Sequence, residues 1–165
     1  MPVQVEFPPL LPEGLHSMTL GQVLSMCVDR FPLSTTRPVL FAKLRLVLHR
    51  LVELSIVAEV WLDGGFLTEC SDPKDIDFVL RVESDFYETC TDEQRAVMDW
   101  MDGDLKTEFL CDSYLLVEWP EGHEKYATGQ NRRWFWLDLF GRGKPPRIRR
   151  EPKGIAVVAL SGELL

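Results

Sequence analysis

The most regular pattern of hydrophobic and polar positions lies between Val39 and Ile56. Apolar side chains recur there at spacings of three and four residues, and charged side chains occupy the opposite side. The apolar positions are Leu40, Leu44, Val47, Leu51 and Leu54. Because this spacing puts apolar side chains on one face of a helix, the segment predicts an amphipathic α-helix that packs on a core.

The rest of the chain divides into shorter elements by the same criteria. Strands are predicted at 58–62, 76–82, 109–117 and 155–160, where apolar residues run together or alternate with polar ones. Further helices are predicted at 19–28, 91–101 and 131–140, the last of them apolar on nearly every side. Thr19 and Thr91 are suitable N-caps, and Gln94 completes a capping box with Thr91.

The order of these elements predicts the class of fold. Helix, strand, glycine turn, strand, helix, strand and helix follow one another, which indicates an α/β or α+β protein with a small mixed β-sheet and helices packed on it. A chain of 165 residues is expected to form a single domain, 1–165. Residues 1–16, rich in proline, are expected to form an extended arm, and 141–165 a basic C-terminal segment with a short strand.

The charge of the chain is unevenly distributed. The formal net charge is -8, so the protein as a whole should repel nucleic acid. Residues 131–153 nevertheless carry eight basic and two acidic side chains. This segment, and Lys153 in particular, is a candidate to bind the phosphates of a nucleotide or an RNA acceptor. The alternative is a solvated surface that offsets the acidic body.

Composition also bears on the compartment. The chain has four cysteines and no Cys-x-x-Cys pair, which predicts reduced thiols in a cytoplasmic protein. No segment approaches the ~20 consecutive apolar residues that a membrane-spanning helix requires, and the first residues do not resemble a signal peptide. We therefore expect no association with a membrane.

The chemically informative segment is 59–81, EVWLDGGFLTECSDPKDIDFVLR. Gly64 and Gly65 follow a predicted strand, where the absence of a Cβ lets the backbone approach a phosphate closely. Asp75 and Asp77 precede and enter the next strand, so their carboxylates share one face and repel each other unless a cation lies between them. Hard oxygen ligands favour Mg2+ or Mn2+. The pattern predicts a site for a nucleoside triphosphate, and the alternative is a structural turn beside surface acids.

This segment resembles the DNA-polymerase-beta-like nucleotidyltransferase superfamily. The signature of that superfamily is an apolar residue, Gly, then Gly or Ser, a variable gap, and Asp-apolar-Asp or Glu. Gly64 and Gly65 match its first half and residues 75–77 its second half. Asp63 stands where an apolar residue is more usual. The layout of the whole chain is similar to that of small stand-alone bacterial members.

The resemblance implies roles for the matching residues. Asp75 and Asp77 would bind two Mg2+ (or Mn2+) ions, and Gly64 and Gly65 would contact the β- and γ-phosphates of the nucleoside triphosphate. The reaction would be the in-line transfer of a nucleoside monophosphate to a hydroxyl group of an RNA, a protein or a small molecule, with loss of pyrophosphate.

The superfamily also places a third carboxylate on a later strand. Asp112, in FLCDSYLLVEW, is the best match, and Glu108 and Glu118 are the alternatives. Asp112 would then complete the catalytic and metal-binding set with Asp75 and Asp77, and would help to deprotonate the acceptor hydroxyl.

Other functions remain open on the sequence. A catalytically silent member would keep the fold as a partner-binding module, for example in a toxin–antitoxin or phage-defence system, and would form a homo- or hetero-oligomer. A nucleotide sensor would bind without turnover. The aromatic run 134–136, next to Arg132 and Arg133, either stacks on a base or forms a packed or partner-facing patch.

Overall fold

The computed structural model describes residues 5–103, 105–143 and 148–160. The strands are β1 (Gly14–Ser17), β2 (Glu59–Asp63), β3 (Ile76–Glu83), β4 (Cys111–Glu118) and β5 (Gly154–Ala159). The α-helices are α1 (Leu20–Leu24), α2 (Arg37–Glu53), α3 (Ser84–Thr89), α4 (Asp92–Trp100), α5 (Lys106–Phe109) and α6 (Tyr126–Arg142). Helix α1 continues into a π-helical turn over Ser25–Asp29, and a 3-10 turn spans Gly65–Leu67.

The five strands form one mixed sheet in the order β1-β5-β2-β3-β4. Strand β2 runs antiparallel to both β3 and β5, whereas β4 is parallel to β3 and β1 is parallel to β5. The prediction of a small mixed sheet with helices packed on it is confirmed. Strand β5, the last along the chain, lies inside the sheet between β1 and β2.

Helix α2 covers one face of the sheet. Its apolar positions Leu40, Leu44, Val47 and Leu51 are buried in the main core, together with Phe78 and other side chains of that face of β3. The predicted helix at 39–56 is therefore confirmed, with ends two or three residues earlier than expected. Burial of apolar surface of this kind is the main force that holds the helix against the sheet.

Helix α6 covers part of the opposite face. A second, smaller core forms there from Trp61, Val79, Leu116, Phe140 and Ile155. The helix begins at Tyr126, earlier than the predicted 131–140, and it passes close to β4 at Gly129. A Cβ at Gly129 would lie 3.2 Å from the Trp119 ring and 3.3 Å from the Val117 carbonyl oxygen, so the missing side chain permits this approach.

Capping fixes the starts of α1 and α4. The hydroxyls of Thr19 and Thr91 accept hydrogen bonds from the N–H groups of Gln22 and Gln94, and the Oε1 atom of each glutamine accepts a hydrogen bond from the N–H of its cap residue. Both predicted caps are confirmed. Each cap of this type stabilises a helix by about 1 kcal/mol.

Some elements differ from the expectation. The N-terminal arm contains β1, which pairs with β5, and the Leu10 N–H donates to the Leu67 carbonyl at 3.0 Å. The short helices α3 and α5 were not predicted, because each is a turn or so long and carries no periodic apolar pattern. Parts of the predicted C-terminal segment, 144–147 and 161–165, lie outside the described residues. In the described part of the chain, no helix is both long enough and apolar enough to cross a bilayer.

Candidate active site

The register of the sheet brings together aspartates from neighbouring strands at one end of those strands. Asp77 is the cross-strand partner of Asp112 in β4 and of Asp63 in β2. Cross-strand partners point to the same face of a sheet, so these carboxylates lie on the face that carries α6. Asp75 immediately precedes β3. The structure thus brings Asp75, Asp77 and Asp112 to one end of one face.

The glycine turn touches this group. Gly64 has φ +81°, a backbone conformation that favours glycine, and a Cβ there would overlap with Asp77 Oδ2 and lie 3.0 Å from Asp77 Cγ. Gly65 begins the 3-10 turn, and a Cβ there would be in ordinary contact with Pro73, at 3.5 Å. The backbone between β2 and the turn therefore lies directly against the Asp77 carboxylate.

The carboxylates repel one another in a partly buried setting. Burial, together with the negative charges of Asp75 and Asp112, raises the pKa of Asp77 to about 6. Lys153 and Lys106 act in the opposite direction, but they do not cancel the shift. A cation held among these groups would favour their charged forms.

Lys106 already provides one such positive charge. Its Nζ lies 3.4 Å from Asp75 Oδ2 and 3.9 Å from Asp112 Oδ2. The two carboxylates therefore approach the same point, and their charges raise the pKa of Lys106, Asp112 more than Asp75. The sequence carried no signal for this residue, because it lies in the unpredicted helix α5.

A buried ion pair supports the turn from the same face. Lys153 Nζ lies 2.9 Å from Asp63 Oδ1 and donates a hydrogen bond to the Gly64 carbonyl at 3.1 Å. The lysine is 7% exposed and the aspartate 4%. Burial raises the pKa of Asp63, and Lys153 opposes the rise. The pair accounts for an acid at a position where the resembled superfamily has an apolar residue.

Arg37 organises the loop that leads from the glycine turn to Asp75. It is fully buried, and its guanidinium lies 3.8 Å from the centre of the Phe31 ring. The guanidinium donates hydrogen bonds to the carbonyl oxygens of Cys27, Phe66, Thr68 and Cys70. Sequence reasoning did not anticipate this role, because a single arginine at a helix start is usually solvated.

The other end of that loop is tied to the start of α2. Asp72 Oδ1 accepts hydrogen bonds from Ser34 Oγ at 2.9 Å and from the Thr35 N–H at 2.8 Å. These bonds hold the pKa of Asp72 below its ordinary value. Both ends of the segment between the two halves of the motif are therefore fixed.

The alternatives for the third carboxylate lie elsewhere. Glu118 accepts hydrogen bonds from Arg81 and Arg133 at the opposite end of β4. The side chain of Glu108 is exposed, and its main-chain carbonyl accepts a hydrogen bond from Lys43 at 2.6 Å. Of the three candidates, Asp112 is the one beside Asp77.

Three basic side chains of the segment pair with acids outside it. Arg133 pairs with Glu118, Arg149 lies 3.7 Å from Glu6, and Lys153 pairs with Asp63. This pairing favours the interpretation that the segment offsets the acidic body.

The aromatic run at 134–136 divides between surface and core. Trp134 and Phe135 are 67% and 57% exposed. Trp136 packs on Tyr114, with 4.5 Å between ring centroids. Burial and the Asp112 carboxylate raise the pKa of Tyr114 to about 12. Tyr114 therefore links the smaller core to the carboxylate group.

The donor set has the chemistry of a site for a divalent metal ion. In the described ranges, no three His, Cys, Asp or Glu side chains already enclose a point where an ion could sit. Two observations nevertheless fit Mg2+ or Mn2+: the donors are all carboxylate oxygens, and the Lys106 ammonium occupies a cation position between two of them. The residues that would hold the metal are Asp75, Asp77 and Asp112.

The fold and this site define a mixed α/β protein with a carboxylate cluster beside a glycine turn. The chain belongs to a family of unknown function, DUF6932, whose sequence profile matches residues 4–159. No curated protein and no solved structure matches the chain.

Proposed function

We propose that this protein is a metal-dependent nucleotidyltransferase, which moves a nucleoside monophosphate from a nucleoside triphosphate to a hydroxyl acceptor. The observation that carries the proposal is the direct approach of Gly64 to the carboxylate of Asp77, with Asp112 as the cross-strand partner of Asp77. A phosphate-binding turn and metal ligands must lie this close together if one substrate is to touch both.

We also propose that the fold is that of the nucleotidyltransferases. Its support is the order of the parts: the glycine turn directly follows β2, Asp75 and Asp77 stand at the start of antiparallel β3, and Asp112 stands at the start of β4. All three strands are adjacent in the sheet.

Each carboxylate of the site would have a defined role in this reaction. Asp75, Asp77 and Asp112 would hold the metal ions, which when bound would supply positive charge to the attacking and leaving oxygens. Asp112 lies on the edge strand β4, where an acceptor can reach it, and it accepts the proton of the acceptor hydroxyl. The hydroxyl oxygen bonds to the α-phosphorus, and the bond from that phosphorus to the pyrophosphate oxygen breaks.

The glycine turn would hold the phosphates through its amides. Lys153 and Arg37 bind the carbonyl oxygens of Gly64 and Phe66, so those oxygens point at buried cations. In a trans peptide the carbonyl and the following N–H point in opposite directions. The N–H of Gly65 therefore points away from Lys153, and in this proposal it is the group that donates to a phosphate oxygen. In this scheme Lys153 positions the turn and does not itself contact the nucleotide.

Calorimetric titration tests the proposal directly. ATP, CTP, GTP and UTP are each titrated into the full chain in the presence of Mn2+. We expect at least one to bind the wild type, and Asp77→Asn to lose that binding. Asp138→Asn, which alters an exposed aspartate on α6, is the matched control and should bind like the wild type. Absence of binding to the wild type, or equal binding by Asp77→Asn, would refute the proposal.

A second candidate function is a catalytically silent partner-binding module. The observation that favours it is the exposure of the two adjacent aromatic side chains Trp134 and Phe135 on α6. Exposed apolar patches of this kind often mark protein interfaces. Light scattering after size-exclusion chromatography would show an oligomer that Trp134→Ser with Phe135→Ser dissociates. A wild-type protein that is monomeric at all concentrations would count against a homo-oligomeric module.

A further inference from the structure

Among the residues that the structure describes, Lys106 is the one whose ammonium group lies within 4.0 Å of two of the proposed metal ligands. We infer that Lys106 is a built-in counter-cation, which neutralises the carboxylate site in the metal-free protein and which a divalent ion must displace. The inference rests on the proposed function, because it concerns the same carboxylates.

The position of the ammonium group is the first step. Nζ lies 3.4 Å from Asp75 Oδ2 and 3.9 Å from Asp112 Oδ2, so it bridges the residue directly before β3 and a residue of β4. A divalent ion bound to both carboxylates would have to occupy the same space. Two cations at such a short separation repel each other strongly, so the lysine and the ion exclude one another.

The backbone at Lys106 is fixed, whereas its ammonium group is free to move. Leu105, directly before it, is fully buried. Lys43 of α2 donates a hydrogen bond to the Glu108 carbonyl at 2.6 Å, which ties α5 to the long helix. The Lys106 side chain itself is 60% exposed. Its ammonium can therefore leave the carboxylates without any movement of the backbone.

The exposure of the pair also determines which cation binds more strongly. Ion pairs exposed to this degree contribute little to stability, because water competes for both partners. Hard divalent cations gain more from several carboxylates than one ammonium gains from two. The lysine is thus strong enough to reduce the repulsion among the aspartates, and weak enough for a metal ion to replace it.

A consequence is a direct competition that can be measured without any catalysis. Removal of the lysine charge should tighten metal binding, since the ion no longer displaces a competitor. A neutral side chain at a nearby exposed lysine should have a smaller effect. Lys74 provides this control, because it is exposed and adjacent to Asp75 in the chain.

The experiment measures Mn2+ binding by electron paramagnetic resonance of the free ion, with the full chain and no nucleotide. We expect Lys106→Gln to bind Mn2+ about threefold or more tightly than the wild type, from the usual strength of such ion pairs. Lys74→Gln should stay within about twofold of the wild type, and Lys106→Arg, which keeps the charge, should resemble the wild type.

A second measurement needs no substitution. The lysine side chains are observed by NMR through 13C-methylated amines while diamagnetic Mg2+ is added. We expect the Lys106 signal to move with saturation and the Lys125 signal to stay in place, because Lys125 lies over the Trp119 ring. Displacement of the ammonium is then seen directly.

The outcomes separate this inference from the proposed function. If the wild type binds Mn2+ but Lys106→Gln binds no more tightly and the Lys106 signal does not move, the inference is overturned and the metal site stands. If neither the wild type nor Lys106→Gln binds Mn2+, the metal site of the proposed function is overturned, and the inference falls with it.

Discussion

Gly64 lies so close to Asp77 that a methyl group on its α-carbon would overlap with the aspartate Oδ2 and lie 3.0 Å from Cγ. This contact links the two halves of the motif, which are separated along the chain by the loop that Arg37 and Asp72 fix. It means that the turn and the carboxylate are built as one unit. A substitution at either residue should therefore change the position of the other.

The first prediction concerns Gly64→Ala. The backbone at φ +81° disfavours alanine, and the new methyl group also has to displace the Asp77 carboxylate. We expect a loss of stability of at least ~2 kcal/mol and the loss of Mn2+-dependent nucleotide binding. Urea denaturation and calorimetry measure the two effects.

Gly103→Ala is the matched control for this prediction. Gly103 also has a positive φ, +119°, but nothing lies within 4 Å of the position of its missing Cβ. That variant should show only the backbone strain, roughly 1–3 kcal/mol, and should keep its ligand binding. Equal effects of the two variants on ligand binding would mean that the contact with Asp77 has no functional importance.

A second prediction concerns the buried pair of Asp63 and Lys153. Lys153→Met leaves the aspartate buried without its partner, and we expect a loss of about 3–5 kcal/mol. Asp63→Val likewise leaves the lysine buried without its partner. The double variant restores an apolar pair, so it should be more stable than Lys153→Met alone. Denaturant unfolding of the four proteins gives a double-mutant cycle, and simple additivity of the two single losses would contradict a direct interaction.

A third prediction concerns Arg37. Arg37→Met removes the donors of the Cys27, Phe66, Thr68 and Cys70 carbonyl oxygens, and unsatisfied buried carbonyls are costly. We expect a loss of stability of at least ~3 kcal/mol. Arg45→Met, at an exposed position of the same helix, should change stability by no more than ~0.5 kcal/mol. A small effect of Arg37→Met would show that water replaces the guanidinium without difficulty.

The fourth prediction is a pH dependence at Glu118. Burial would raise the pKa of Glu118, but hydrogen bonds from Arg81 and Arg133 outweigh it and hold the pKa below its ordinary value. A carboxyl with a lowered folded-state pKa stabilises the protein above its unfolded pKa, near 4.3 (about the value of a free glutamate), and this contribution is lost as the pH falls through the folded-state value.

Unfolding free energies of the wild type and Glu118→Gln between about pH 7 and about pH 3 check this prediction, because this range starts well above the unfolded-state pKa and ends below it. We expect the advantage of the wild type to be constant near neutrality and to shrink below about pH 4.5. Glu83→Gln, which alters a more exposed partner of Arg81, should lower the unfolding free energy near neutrality by less than Glu118→Gln does. A constant advantage down to pH 3 would contradict the role assigned to the charged form of Glu118.

Local signals explain what could be predicted from the sequence. Helix α2 follows from the spacing of its leucines, and the starts of α1 and α4 follow from Thr19 and Thr91. The positions of Asp75, Asp77 and Asp112 at or directly before the starts of strands follow from the apolar runs that come after them. Each of these signals lies within a few residues of the feature that it predicts.

Long-range contacts explain what could not be predicted. Lys153 binds the Gly64 carbonyl across 89 positions of the chain, and Arg37 binds that of Thr68 across 31. No sequence pattern connects residues that are so far apart, so the sequence did not indicate that Lys153 is the partner of Asp63. Lys106 was missed for a different reason, since its short helix α5 contains too few residues to show a pattern.

The place of β5 in the sheet has a consequence for the synthesis of the protein. A ribosome releases β1 and β2 early, but the gap between them is filled only by residues 154–159. Until then β1 has no neighbour to pair with, and one side of β2 remains open. The sheet can therefore be completed only after translation has passed residue 159, and until that point the open side of β2 presents unpaired backbone groups.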